Sequence, residues 1–264
     1  MTSIAPTPDL KPGTEGKSAA RSRYWLWAAG ALVISIGALI LASWLVPTST
    51  ATQSEALDGP IDRLEIVVTG GVSLVAGEQT KLTISKQWQL TGQPTVTVTN
   101  EDGAARVTGG CAFYQIRCTT AVTGSVAPDA TIVVRTSAGS IDVSGVSAGV
   151  NLETSAGSVS THEVAGQAWL RSSAGDIIGE ISDGDVDAET SAGRIELTLL
   201  GDFSSLSAIT SLGAIELTVP DDVYDVGADT SAGSVTIDVR TDPAATRRIV
   251  AESSSGSIRV AAAG

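Results

Sequence analysis

The stretch IVVRTSAGSIDVSGVSAGVNLETSAGSVSTHEVAGQAWLRSSAGDIIGEISDGDVDAETSAGRI, residues 132–195, returns to one tetrapeptide, Thr/Ser-Ser-x-Gly, every 18 residues. The same tetrapeptide recurs at Thr210–Gly213, Thr230–Gly233 and Ser253–Gly256, so that successive glycines from Gly139 to Gly256 lie 18, 18, 18, 20, 20 and 23 residues apart. A period of this size is too short for helical repeats of ~33–34 residues.

The columns around the tetrapeptide indicate its conformation. Four residues before it stand Ile132, Val150, Ala168, Val186, Leu206, Val226 and Ile249. Two before stand Val134, Leu152, Leu170, Ala188, Ala208, Ala228 and Ala251, and two after its glycine stand Ile141, Val159, Ile177, Ile195, Ile215, Val235 and Ile258. Every position is apolar, and the spacing of two within each segment is the strand period. Each repeat therefore supplies one strand before the glycine turn and one after it. A two-stranded unit is marginal alone, but stacked units bury a continuous core. The pattern predicts an all-β chain: a parallel β-solenoid of 18–20-residue coils, with two or three sides per coil. Thr and Ser of the tetrapeptide are placed to hydrogen-bond along the stack. One residue before them, Arg135, Glu153, Arg171 and Glu189 alternate in sign, as an ion-pair ladder between stacked coils would require.

Outward from this region, residues 61–128 are less regular but equally rich in β-formers, and are expected to form a cap and the first coils of one domain spanning 61–264, with regular coils over 129–264. Residues 47–60, PTSTATQSEALDGP, read as an exposed linker, and residues 1–24 as a flexible cytoplasmic tail. Between them, Trp25 to Val46 form 22 uncharged residues, enough for a transmembrane helix across a ~30 Å hydrocarbon layer, with Trp25, Trp27 and Trp44 at the interfaces. The rival reading is a cleaved signal peptide, whose apolar core runs only ~7–15 residues. Arg21 and Arg23 abut the run, so the positive-inside rule puts the N-terminus in the cytoplasm and the β domain outside a cell membrane crossed once.

The formal charge is −13. Four of the 16 basic and two of the 29 acidic residues precede position 47, leaving 12 against 27 beyond it. Such a chain lacks the basic face that nucleic acid requires. Two cysteines and one histidine cannot build a Cys/His zinc cluster. Cys111 and Cys118 enclose CAFYQIRC; outside the membrane thiols oxidise, so a structural disulfide is expected. His162 is placed in a connecting loop and carries no catalytic assignment. Seven aligned serines answer a turn requirement rather than a nucleophile, and no cofactor is implied. In SDGDVDAE, Asp183, Asp185 and Asp187 alternate as Ca²⁺ ligands would, but the β-roll motif G-G-x-G-x-D is absent and a solvated turn is the default.

The columns, together with LEIVVTGGVSLVAGE (64–78), resemble the bacterial putative-adhesin domain of unknown function over roughly residues 62–262. The resemblance implies a solenoid built on a G-D/S-I/V-x-V repeat, often behind one membrane helix. It brings no catalytic residues with it. The function expected is a membrane-anchored surface module, structural or interacting, without catalytic activity, whose partner is a cell-envelope or extracellular macromolecule. An envelope-sensing component acting through a partner protein and an extracellular carbohydrate-active enzyme are the rivals. Trp169 stands at an outward position beside Arg171, with Ile178 and Ile209 also outward. Trp169 is either a contact residue or covered by another segment.

Overall fold

Strand alternation and glycine turns set the architecture of the computed structural model, which describes residues 48–57, 59–89, 92–112 and 116–263. The tail 1–24 and the apolar run 25–46 lie outside the described residues. Among the described residues no helix is long and apolar enough to cross a membrane. The strands of the amino-terminal third are β1 (Ser49–Ala56), β2 (Arg63–Val68), β3 (Val72–Ala76), β4 (Lys81–Gln89), β5 (Thr95–Glu101), β6 (Ala104–Gly110) and β7 (Ile116–Val126). Then come β8 (Thr131–Thr136), β9 (Ile141–Ser144), β10 (Val150–Ala156), β11 (Val159–Ala165), β12 (Ala168–Ala174), β13 (Ile177–Asp183), β14 (Val186–Ala192) and β15 (Ile195–Leu199). The last are β16 (Ser205–Leu212), β17 (Ile215–Val219), β18 (Val223–Thr230), β19 (Val235–Asp238), β20 (Arg240–Thr241), β21 (Arg248–Ser255) and β22 (Ile258–Ala262).

Two sheets face each other, so each coil has two sides. One sheet runs β1-β4-β7-β3-β9-β11-β13-β15-β17-β22-β19, and the other β20-β18-β21-β16-β14-β12-β10-β8-β2-β6-β5. Within the regular coils the pairing is parallel and in register, as in Val150↔Ala168↔Val186, apart from register shifts between Thr161 and Ala165 where β11 meets β13. All but three of the 21 column residues are buried. The exceptions, Val226, Ala228 and Val235, belong to a single coil, and that coil ends the stack.

The glycine corners carry the hydroxyl ladder that the tetrapeptide suggested. Thr154, Ser172 and Thr190 donate to the carbonyls of Gly139, Gly157 and Gly175 on the neighbouring coil, each at 3.0 Å. These bonds satisfy buried hydroxyls and turn carbonyls together. Gly175 shows why the corner admits no side chain: its φ is +153°, and a Cβ would run into the carbonyl of Gly157.

Stack order departs from chain order at both ends. Coil β2–β3 lies between β6–β7 and β8–β9, and the final coil β21–β22 is inserted between β16–β17 and β18–β19. After β19 the chain begins another turn outside β18, where Arg240 pairs with Val223, then doubles back inward. Arg247 sits at the point of insertion and holds both neighbours. Its guanidinium donates to Asp202 at 2.5 Å and to Asp222 at 2.7 Å, residues that precede β16 and β18. Beneath it Tyr224 is fully buried, stacks on Phe203 at 5.6 Å, and donates its hydroxyl to the Pro220 carbonyl at 2.8 Å. The inserted coil brings Ile249, Ile258 and Val260 under cover on both sides. In the coil displaced to the end, Val235 and Ile237 remain 40% and 39% exposed.

Three readings of the sequence need correction. Residues 49–56, taken as linker, form β1, which pairs antiparallel with β4 along its whole length; an edge strand needs backbone partners more than apolar side chains, so its polar composition concealed it. His162 lies within β11 rather than in a connecting loop. Of the expected ion ladder, Arg135–Glu153 (3.2 Å) and Arg171–Glu189 (3.3 Å) form, but among the described residues no ion pair joins Glu153 to Arg171. The Arg171 guanidinium instead lies over the Trp169 ring, 5.4 Å from its centroid.

Candidate functional site

On the outer face of the second sheet, the register lines up side chains from strands far apart in sequence. One row runs Trp169–Asn151–Val133, through β12, β10 and β8. Two residues earlier along the chain in each coil, a second row runs Gln167–Gly149–Thr131–Arg63, at the starts of β12, β10, β8 and β2. Between the rows lies a shallow groove of about 260 Å³. Gly149 leaves a gap in the second row, and Val133, outward by parity yet only 4% exposed, supplies an apolar floor.

Trp169 forms one wall and is 41% exposed, with no segment among the described residues covering it. Arg171 is held by Glu189 and by Asp187 at 3.8 Å while lying against the indole. That arrangement orients the ring without burying it, since cation–π contact and an ion pair restrain the same guanidinium. At the far end, Arg63 is exposed, and its guanidinium has no ion-pair partner among the described residues. Ile178 and Ile209 are also exposed; Ile178 is on the opposite sheet.

The candidate calcium residues are not brought together. Asp185 Oδ1 accepts the backbone N–H groups of Ser204 and Ser205 at 2.7 and 2.8 Å, which makes it a loop cap. Asp187 faces Arg171. Among the described residues no group of three or more His, Cys, Asp or Glu could hold a metal ion. Cys111 and Cys118 are joined in a disulfide, with Cα atoms 5.8 Å apart, closing the turn between β6 and β7. The Ser160 hydroxyl lies 3.2 Å from His162 Nε2, on the outward side of β11, where His162 is exposed to solvent.

Sequence reasoning singled out Trp169 and Arg171 but missed Arg63, Gly149 and Gln167. The outward parity of Asn151 was legible. Nothing local marks Arg63, which reaches the groove only because β2 pairs with β8.

The Toastrack DUF4097 family model matches residues 65–263. The chain belongs to that family. Solved structures of low identity are similar to this chain. A putative adhesin of Bacteroides fragilis is 12% identical, covering 81% of this chain and 97% of its own, with a TM-score of 0.47. A putative lipid binding protein of Parabacteroides distasonis is 11% identical, covering 80% and 96%, at 0.46. A putative cell adhesion protein of Clostridium sporogenes is 9% identical, covering 81% and 100%, at 0.36. No curated protein matches the Toastrack chain.

Proposed function

We propose that this protein is a membrane-anchored, non-catalytic interaction module that presents the outer face of its second sheet to a cell-envelope or extracellular macromolecule. The supporting observation is Trp169, an exposed indole clamped by Arg171 beside a groove on the outer face of the second sheet. Exposed aromatic surface of this kind marks contact sites, and Trp is enriched among residues that dominate binding energy. The anchor rests on the uncharged run Trp25 to Val46 and the flanking Arg21 and Arg23.

The test is Trp169→Ala in the full chain. Because the ring fills no interior space, the melting temperature should stay within about 2 °C, which corresponds to less than ~1 kcal/mol for a unit of this size. Binding to purified envelope material should weaken by about fivefold or more, a loss of ~1 kcal/mol that only a minority of interface residues carry. A strongly destabilised variant, or unchanged binding, would overturn the contact role. Protease added to intact cells should digest the β domain, and its protection would refute the orientation.

A further inference from the structure

The groove beside Trp169 has a chemistry more specific than an apolar contact patch. Its wall is a flat indole with one face open. Its rim carries the amides of Asn151 and Gln167, whose side chains have no hydrogen-bond partner within the described residues. Its far end is Arg63, an unpaired guanidinium on a domain with a large excess of acids. The volume, about 260 Å³, falls below the ~300–1,000 Å³ of pockets that engulf a drug-sized molecule. It is sized for one ring, with the rest of a ligand lying along the open sheet face.

We infer that this groove binds a carboxylated sugar unit of an acidic polysaccharide. The inference rests on the proposed contact role of Trp169. A pyranose ring presents an apolar C–H face, which stacks on indole, and equatorial hydroxyls, which pair with planar amides able both to donate and to accept. A carboxylate is the group that a free guanidinium binds bidentately. Of the arginines around the groove, Arg171 is already engaged by Glu189 and Asp187, and Arg106 and Arg135 by Glu65 and Glu153. Arg63 alone of these has its fork free. The rows place it three strands from Gln167, roughly 14 Å at ~4.8 Å per strand, so the ring stacked on Trp169 and the carboxylate held at the Arg63 end belong to neighbouring units of the polysaccharide. A neutral glycan would leave that charge unused, and a peptide strand would find the backbone of these central strands already paired on both sides.

The experiment is calorimetric titration of the full chain, held in nanodiscs, with oligogalacturonate and a hyaluronan-derived tetrasaccharide, each compared with its methyl-esterified form. Binding of at least one acidic oligosaccharide is expected, weakened about tenfold or more by esterification. Arg63→Gln should weaken the acid form to the level of the ester and leave ester binding unchanged. Trp169→Ala should abolish both. Absence of binding by both acids at about 10 mM, equal binding of acid and ester, or an Arg63→Gln protein that binds like the wild type would overturn the inference. If Trp169→Ala still weakens binding to envelope material while neither acid binds, the contact role stands and only the ligand class falls.

Discussion

A disulfide should form between Ile209→Cys and Glu252→Cys, and none between Ile209→Cys and Asp229→Cys. The three positions occupy one outward column, and the register places Glu252 beside both others: Ile209↔Glu252 and Asp229↔Glu252. Neighbouring strands lie ~4.8 Å apart, so Ile209 and Glu252 fall inside the ~4.4–6.8 Å Cα window of a disulfide, whereas Ile209 and Asp229, two strands apart at ~9.6 Å, fall outside it. The Asp229→Cys/Glu252→Cys pair should also close. Had the coils stacked in chain order, the 209–229 pair would close and the 209–252 pair would not. All three side chains point to solvent, so the substitutions remove no core contacts. Mild oxidation of each double variant, followed by peptide mapping that separates the new bond from Cys111–Cys118, reads the outcome. The 209–252 bridge closes a loop of 44 residues, for which chain entropy predicts up to about 4 kcal/mol of added stability. A 209–229 crosslink at a rate comparable to the other two would refute the inserted position of the last coil.

Ile195→Asp should destabilise the domain by several kcal/mol, because Ile195 is fully buried and an unpaired carboxylate there finds no partner; a denaturant midpoint close to wild type would place the strand in the wrong register. Thr161 is fully buried and its hydroxyl has no hydrogen-bond partner among the described residues, so the near-isosteric Thr161→Val should raise stability by ~1 kcal/mol, or roughly 2–4 °C in melting temperature; a lower melting temperature would show that the hydroxyl is satisfied. Burial raises the pKa of the Tyr224 phenol above 10.0, opposed by its hydrogen bond with Arg247. A raised folded-state pKa gives stability that is complete below pH ~10 and is lost as pH climbs through the folded value. Denaturation curves above pH 10 should therefore steepen their fall in the wild type relative to Tyr224→Phe, and identical pH slopes would exclude Tyr224 as the group responsible.

The strands flanking each tetrapeptide, the inward columns, the glycine corners and the hydroxyl ladder were legible in the sequence, because a two-residue alternation and a recurrent Thr/Ser-Ser-x-Gly each impose the same local conformation wherever they occur. The same recurrence is why coil order was not legible. Every regular coil offers its neighbour an Ile, Val, Leu or Ala column and a corner hydroxyl, so the repeat favours stacking without distinguishing one successor from another. Order is decided by what does not repeat: Arg247 between Asp202 and Asp222, Tyr224 on Phe203, and Ile249 and Ile258, which are larger than their counterparts Val226 and Val235 and gain cover that the 223–241 coil forgoes. The 23-residue interval before Gly256 was the trace of this detour. The outer groove follows the same logic, since Trp169 stood out in its own column, but Arg63 joins it only when β2 is set against β8. Local periodicity determined what each coil is; long-range contacts between unlike residues determined where each coil lies and which outward side chains meet.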